Sequence, residues 1–171
     1  MYEWDDNEFP LAFFITFRTY GTWLIRDERG AIDRFHNRFR GPRVAFNPVR
    51  KNQQAAKLKG KPVTLDARQR PVVEQAIRNV CSHRGWLLRA IHIRTNHGHV
   101  VTSIGSTSPH YALRDFKAYS TRALRKAGLW TLGHGPWVDS GSIRHLWKEA
   151  SVANACDYVI NRQGEPLPAQ F

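Results

Sequence analysis

Two histidines separated by one residue, His97-Gly98-His99, open a run of β-branched and small residues that reads as a strand. Side chains at i and i+2 of a strand share a face, so both imidazoles would project together and could reach one divalent ion. Val101 and Ser103 belong to that face, while Val100, Thr102 and Ile104 point the other way. Spacing alone is weak ground for a site: with 8 histidines in 171 residues, random placement gives roughly 0.4 such pairs. A second reactive group has to come from elsewhere, and Tyr158 is the candidate. It sits in a helical pattern whose apolar stripe is Val152, Ala155, Cys156 and Val159, offset from that stripe by about a third of a turn. It therefore flanks the core and can present its hydroxyl to an open site. Taken alone it would be read as a half-buried anchor of its helix. Beside a two-histidine metal site on a basic protein, its oxygen could attack a phosphodiester while the ion offsets the charge that develops.

The elements that must position these groups follow from periodicity. Leu11 to Tyr20, aromatic and β-branched and closed by Gly21, predicts the first strand. From Pro71 the period becomes helical, with Val73, Ala76, Ile77, Val80 and Cys81 as its stripe and Gly85 as its stop; Asp66-x-x-Gln69 is a weak capping box that would leave Pro71 beyond the first turn. Leu88 to Ser103 reads as two strands with a polar break at Thr95-Asn96. Ser108-Pro109 opens a helix to about Ala127, with Leu113, Phe116, Ser120, Ala123 and Leu124 inward and Arg114, Lys117, Arg122, Arg125 and Lys126 flanking. Ser142 to Trp147 alternates as a short fourth strand, and Ser151 to about Gln163 is the last helix, ended by Gly164 and Pro166. The order predicts an α+β, ferredoxin-like split β-α-β domain: a four-stranded antiparallel sheet, two helices on one face and an extra C-terminal helix. The histidine pair would lie on an inner strand, on the face the two helices leave open.

Length fits a single domain over residues 1–171, and six Trp with nine Phe exclude a disordered chain. The formal charge of +12 and a pI near 10.4 point to a polyanionic partner, most often nucleic acid, with a ribosome-bound protein or a merely basic surface as the plain alternatives. Thirteen of the 26 Lys and Arg fall between Leu24 and Arg70, against four acids, in a stretch without sustained period. Read as a basic loop insertion at about 24–70, it interleaves Phe35, Phe39 and Phe46 with Arg38, Arg40 and Arg43, which suits stacking on unpaired bases with phosphate contacts alongside. A solvated basic loop explains it equally well. Cys81 and Cys156 lack metal-ligand spacing and read as buried free thiols. The acidic start MYEWDDNEF and the lack of a long apolar run predict a cytoplasmic or chromosome-bound protein with no membrane contact.

Five segments, FRTYGTWL with DERG, RGWLLRAIHIRTNHGHVVTS, FKAYSTRALRKAGLW, DSGSIRHLW and YVINRQG, occur in order over nearly the whole chain. Together they make it resemble the single-tyrosine HUH transposases of the smallest bacterial insertion sequences, including the REP-associated tyrosine transposases. The resemblance implies that His97 and His99 are metal ligands, Gln163 the third ligand, Tyr158 the nucleophile, and the ion Mg²⁺ or Mn²⁺. It implies a single-stranded DNA substrate folded into imperfect palindromic hairpins, cleaved and transferred through a covalent 5′-phosphotyrosine. Two details depart from the expected pattern. Gly98 stands where that family carries a bulky hydrophobic residue, which would weaken the strand and remove a core contact. Gln163 lies about 140° round an ideal helix from Tyr158, so it reaches the ion only if the last turn loosens; otherwise Arg162 or Asn161 faces the site.

Other residues have plainer readings. Tyr119 is a rival nucleophile but sits beside a packed stripe, His92 is an ordinary strand histidine or a support for the pair, and Trp23, Trp86 and Trp147 read as core. Arg114, Lys117, Arg144 and His145 are candidates for DNA contact, although a solvated charge is the usual explanation for any one of them. Relatives with an exchanged catalytic helix act as homodimers, and relatives acting as monomers keep the tyrosine with its own histidines. The rival functions are a domesticated, non-catalytic DNA- or RNA-hairpin binder and a metal-dependent phosphodiesterase that uses water.

Overall fold

The structure is a computed structural model that describes residues 7–22, 56, 58 and 60–164. In chain order it contains β1 (Ala12–Thr19), α1 (Gln69–Arg84), β2 (Leu87–Ile93), β3 (His97–Ser103), α2 (Pro109–Lys126), β4 (Trp137–Leu146) and α3 (Glu149–Asn161). The strands form one sheet in the order β2-β3-β1-β4, with every neighbouring pair antiparallel. That is the expected α+β ferredoxin-like arrangement with a third helix. β3 is an inner strand, as its unbroken burial from Gly98 to Thr102 requires.

The two faces of the sheet divide the core. On one, Phe13, Ile15 and Phe17 of β1 and Val100 of β3 pack against Val73, Ile77 and Val80 of α1 and Leu113, Phe116 and Leu124 of α2. On the other, Ala12, Ala90, Val101 and Leu146 receive Val152, Ala155 and Val159, the stripe of α3. Strand alternation assigns both sets, since Phe13, Ile15 and Phe17 are two apart and Ala12, Phe14, Thr16 and Arg18 alternate with them.

Several boundaries differ from expectation for identifiable reasons. The chain enters α1 through a reciprocal cap: Gln69 N–H donates to Asp66 Oδ1 at 2.8 Å and Asp66 N–H to Gln69 Oε1 at 2.9 Å. With the helix running from Gln69, Pro71 lies within its first turn, where a missing N–H leaves no hydrogen bond unmade. β4 is longer than the alternating Ser142–Trp147 segment, because backbone pairing with β1 extends it back to Trp137 across a bulge between Phe17 and Thr19. Part of the expected basic loop is structural: Val63 and Leu65 are buried, and Leu65 N–H donates to Thr95 O. Arg38, Arg40, Arg43 and Trp23 lie outside the described residues.

Gly98 does not leave a gap. It faces α1 and α2, paired with Phe17, and a Cβ there would stand 2.6 Å from Phe17 Cζ and 2.9 Å from Ile93 Cδ1. The fully buried Phe17 ring, edge-on to Trp137 at 5.1 Å, fills the space that a side chain at 98 would have taken. The expected loss of a core contact is therefore made good from the neighbouring strand.

Candidate active site

The break between β2 and β3 is a two-residue hairpin turn, closed by Arg94 N–H donating to His97 O at 2.8 Å. Its tip is tied to the end of β1, since Thr19 N–H and Thr19 Oγ1 both donate to Asn96 O. This fixes where β3 begins, and hence where His97 points.

His97 and His99 share a face, with ring centroids 4.7 Å apart. The His97 Nδ1–H donates to Asn96 Oδ1 at 2.7 Å, which leaves Nε2 with its lone pair outward. The His99 Nδ1 lies 2.8 Å from Thr16 Oγ1, and when it donates there its Nε2 is free in the same way. Burial pushes His97 down to about 4 and His99 down to about 3; the charge of Arg18 adds to both, and each histidine also opposes the charging of others nearby. Both rings are therefore neutral around pH 7, the protonation state a metal ligand needs.

α3 carries Tyr158 over this pair. Seated by Val152, Ala155 and Val159, the helix brings the Tyr158 ring to 5.7 Å from His99, edge-on at 70°, and to 5.9 Å from Phe14. Tyr158 is 42% exposed, so its packing edge is held while the rest of the ring meets solvent. The helix ends at Asn161, and Arg162 (φ −118°, ψ 27°) has left helical geometry. That early end sends the three candidate side chains to different partners. Gln163 Nε2 donates to Tyr158 O at 3.0 Å, a carbonyl that also accepts from Arg162 N–H at 3.2 Å, and its carboxamide also hydrogen-bonds His97. Asn161 and Arg162 turn instead to Asp157, at 2.9 Å and 2.6 Å. His92, opposite His99 on β2, hydrogen-bonds the main chain of Val159 and so ties the end of α3 to the sheet.

Two neutral imidazoles held from behind and one oriented amide make a donor set that fits a divalent ion with further oxygen ligands. Among the described residues, no group of three or more His, Cys, Asp or Glu could hold a metal.

The remaining candidates separate cleanly. Arg144, paired with Phe14, lies on the same sheet face as Thr16 and His99. Arg114 stacks at 4.6 Å over Tyr111 on α2, across the sheet from the histidines. Lys117 is committed to the fold: its ammonium donates to the carbonyls of Val138, Asp139 and Ser140 at 2.8, 2.9 and 2.9 Å, and burial lowers its pKa. Tyr119 also belongs to the α2 side, under the Arg122 guanidinium at 5.0 Å. Trp86 packs edge-on to Phe116. Thr16, Arg18 and Asn96 were not among the expected site residues. The sequence signal for the first two is the polar alternation Thr16-Phe17-Arg18 within an otherwise apolar strand.

The family model described as "Transposase IS200 like" matches residues 57–161. A search of curated proteins finds no match. Among solved structures, a Deinococcus radiodurans protein assigned as a transposase is 13% identical, with a TM-score of 0.46, covering 96% of this chain and 100% of its own. A REP-associated tyrosine transposase, solved bound to a REP hairpin, is 14% identical, with a TM-score of 0.47, covering 93% of this chain and 70% of its own.

Proposed function

This chain belongs to the IS200-like transposase family, and we propose that it cleaves and rejoins single-stranded DNA through a covalent 5′-phosphotyrosine at Tyr158. The observation that carries this reading is the meeting of Tyr158 with His99 at 5.7 Å, beside His97, on one sheet face of one chain. In the forward step the Tyr158 oxygen attacks phosphorus, its proton passing to water at the exposed side of the ring. The new O–P bond forms as the P–O3′ bond breaks, and the 3′-oxygen leaves as a hydroxyl after taking a proton from solvent. The phosphotyrosine retains a phosphodiester's energy, so attack by another 3′-hydroxyl reverses the step and joins a new strand.

His97, His99 and Gln163 would hold Mg²⁺ or Mn²⁺, which when bound polarises a non-bridging oxygen of the phosphate. Asn96 and Thr16 keep the two imidazoles oriented, and His92 with Gln163 fixes the last turn of α3. The substrate in this reading is DNA with imperfect hairpins, as the sequence resemblance implies, with Arg144 contacting the strand on the site face. In this reading Tyr158 works with the histidines of its own sheet, against which α3 is seated; an exchanged homodimer would instead pair it with those of a second copy.

Product ends test the reading. Incubation with hairpin-bearing single strands and Mn²⁺ is expected to leave a free 3′-hydroxyl on one fragment and protein on the 5′ end of the other. Release of a free 5′-phosphate without adduct would assign the reaction to water, and tight hairpin binding with no cleavage would make the protein a binder only.

A further inference from the structure

Around the histidine pair the protein gathers positive charge. Arg18 stands directly across from His97 in the β1–β3 register and two residues beyond Thr16, so its side chain rises on the face that carries His97 and His99. It is exposed, and its charge reaches both imidazoles. Arg94 adds to the field at His97. Among the described residues no carboxylate pairs with Arg18, and no acidic cluster completes the donor set. A divalent ion held by two neutral rings and an amide would sit beside a guanidinium, with no carboxylate of the described residues paired to that guanidinium and none in the donor set. A phosphodiester supplies what is missing, with one non-bridging oxygen for the ion and one for the planar guanidinium fork.

We propose that Arg18 binds the scissile phosphate, so that a DNA phosphodiester and the divalent ion each strengthen the other's binding at the His97–His99 site. This rests on the function proposed above and adds a residue and a coupling to it. No bond is made or broken by Arg18; it receives the diester before attack and holds it through the trigonal-bipyramidal stage, where the equatorial oxygens carry more charge.

The test follows free Mn²⁺ by electron paramagnetic resonance during titration of the full chain. It is run with no diester, with thymidylyl-(3′→5′)-thymidine, and with the neutral methylphosphonate analogue of that dinucleotide. In the wild type the charged dinucleotide is expected to tighten Mn²⁺ binding roughly five- to tenfold, and the neutral analogue not at all. Arg18→Gln is expected to bind Mn²⁺ alone at least as tightly as the wild type, because a repelling charge is gone, yet to lose the enhancement. Arg18→Lys should keep part of it, having the charge without the fork. A merely structural Arg18 would not give these opposite changes. The proposal is overturned if Arg18→Gln keeps the full enhancement, if it binds Mn²⁺ alone more weakly, or if the wild type shows no enhancement. Should Mn²⁺ binding persist unchanged in His97→Ala/His99→Ala, the metal reading itself fails and Arg18's role with it. Loss in that double variant with enhancement intact in Arg18→Gln removes only Arg18.

Discussion

Along β3, Gly98, Val100 and Thr102 are sealed under α1 and α2, whereas the other face runs from buried Val101 through His99, 7% exposed, to the half-buried His97 beside α3. The first face is wide, aromatic and dry, with Phe17 and Phe116 fully buried. The second is a small cluster of Ala, Val and Leu that ends in polar groups held by Thr16 and Asn96. The contrast teaches a division of labour: one face carries the stability, and its rigidity fixes the register that aims side chains on the other. Substituting one face should therefore move stability with little change in metal binding, and substituting the other should do the reverse.

The largest break in that contrast is expected from Phe17→Ala, which empties space beneath Gly98 and should cost ~3–5 kcal/mol in denaturant unfolding. Acid comes next, and acts through the site face. His97 and His99 are held near 4 and 3 in the folded chain against an ordinary 6.5. Above pH 6.5 both states are unprotonated and nothing is lost. As pH falls through 6.5 the unfolded chain takes up protons that the folded one refuses, so stability drops until the folded values are reached. At pH 5 each histidine is expected to account for roughly 2 kcal/mol. The measurement is the unfolding free energy against pH, and His97→Ala/His99→Ala should flatten it; an equal slope in that variant would contradict the assignment. Gly98→Val, although it looks like a repair toward a bulky strand residue, should cost ~1–3 kcal/mol through collision with Phe17 and Ile93. Combining it with Phe17→Leu should recover part of that loss. The smallest change is Ser120→Ala, which removes a buried α2 hydroxyl that has no hydrogen-bond partner among the described residues and should leave stability equal or raised by ~1 kcal/mol at most.

Much of the fold is legible in the sequence because burial leaves periodic marks. The stripe of α1 from Val73 to Cys81 and the alternation in β3 predict their elements and their faces. What escapes is fixed by pairing between distant segments. The start of β4 carries exposed Asp139, Ser140 and Gly141, whose strand conformation comes from hydrogen bonds to β1 and the Lys117 clamp rather than from apolar alternation. The same holds for the candidate site. Two histidines and a flanking tyrosine stand out by residue type, but Thr16 and Arg18 matter only through a register linking residues about eighty positions apart. The orientation of Gln163 depends on where α3 stops, which the helical period leaves open by a turn. Gly98 is the clearest lesson, since its meaning lies in the partner Phe17 and not in its own strand.

Peptide mapping of the protein after incubation with hairpin-bearing single-stranded DNA and Mn²⁺ tests whether the Tyr158 oxygen is the attacking nucleophile. A nucleotide-modified peptide containing Tyr158 is expected, absent from Tyr158→Phe while that variant keeps its stability and its Mn²⁺ binding. An adduct that persists in Tyr158→Phe, or that maps to another residue such as Tyr119, would contradict it.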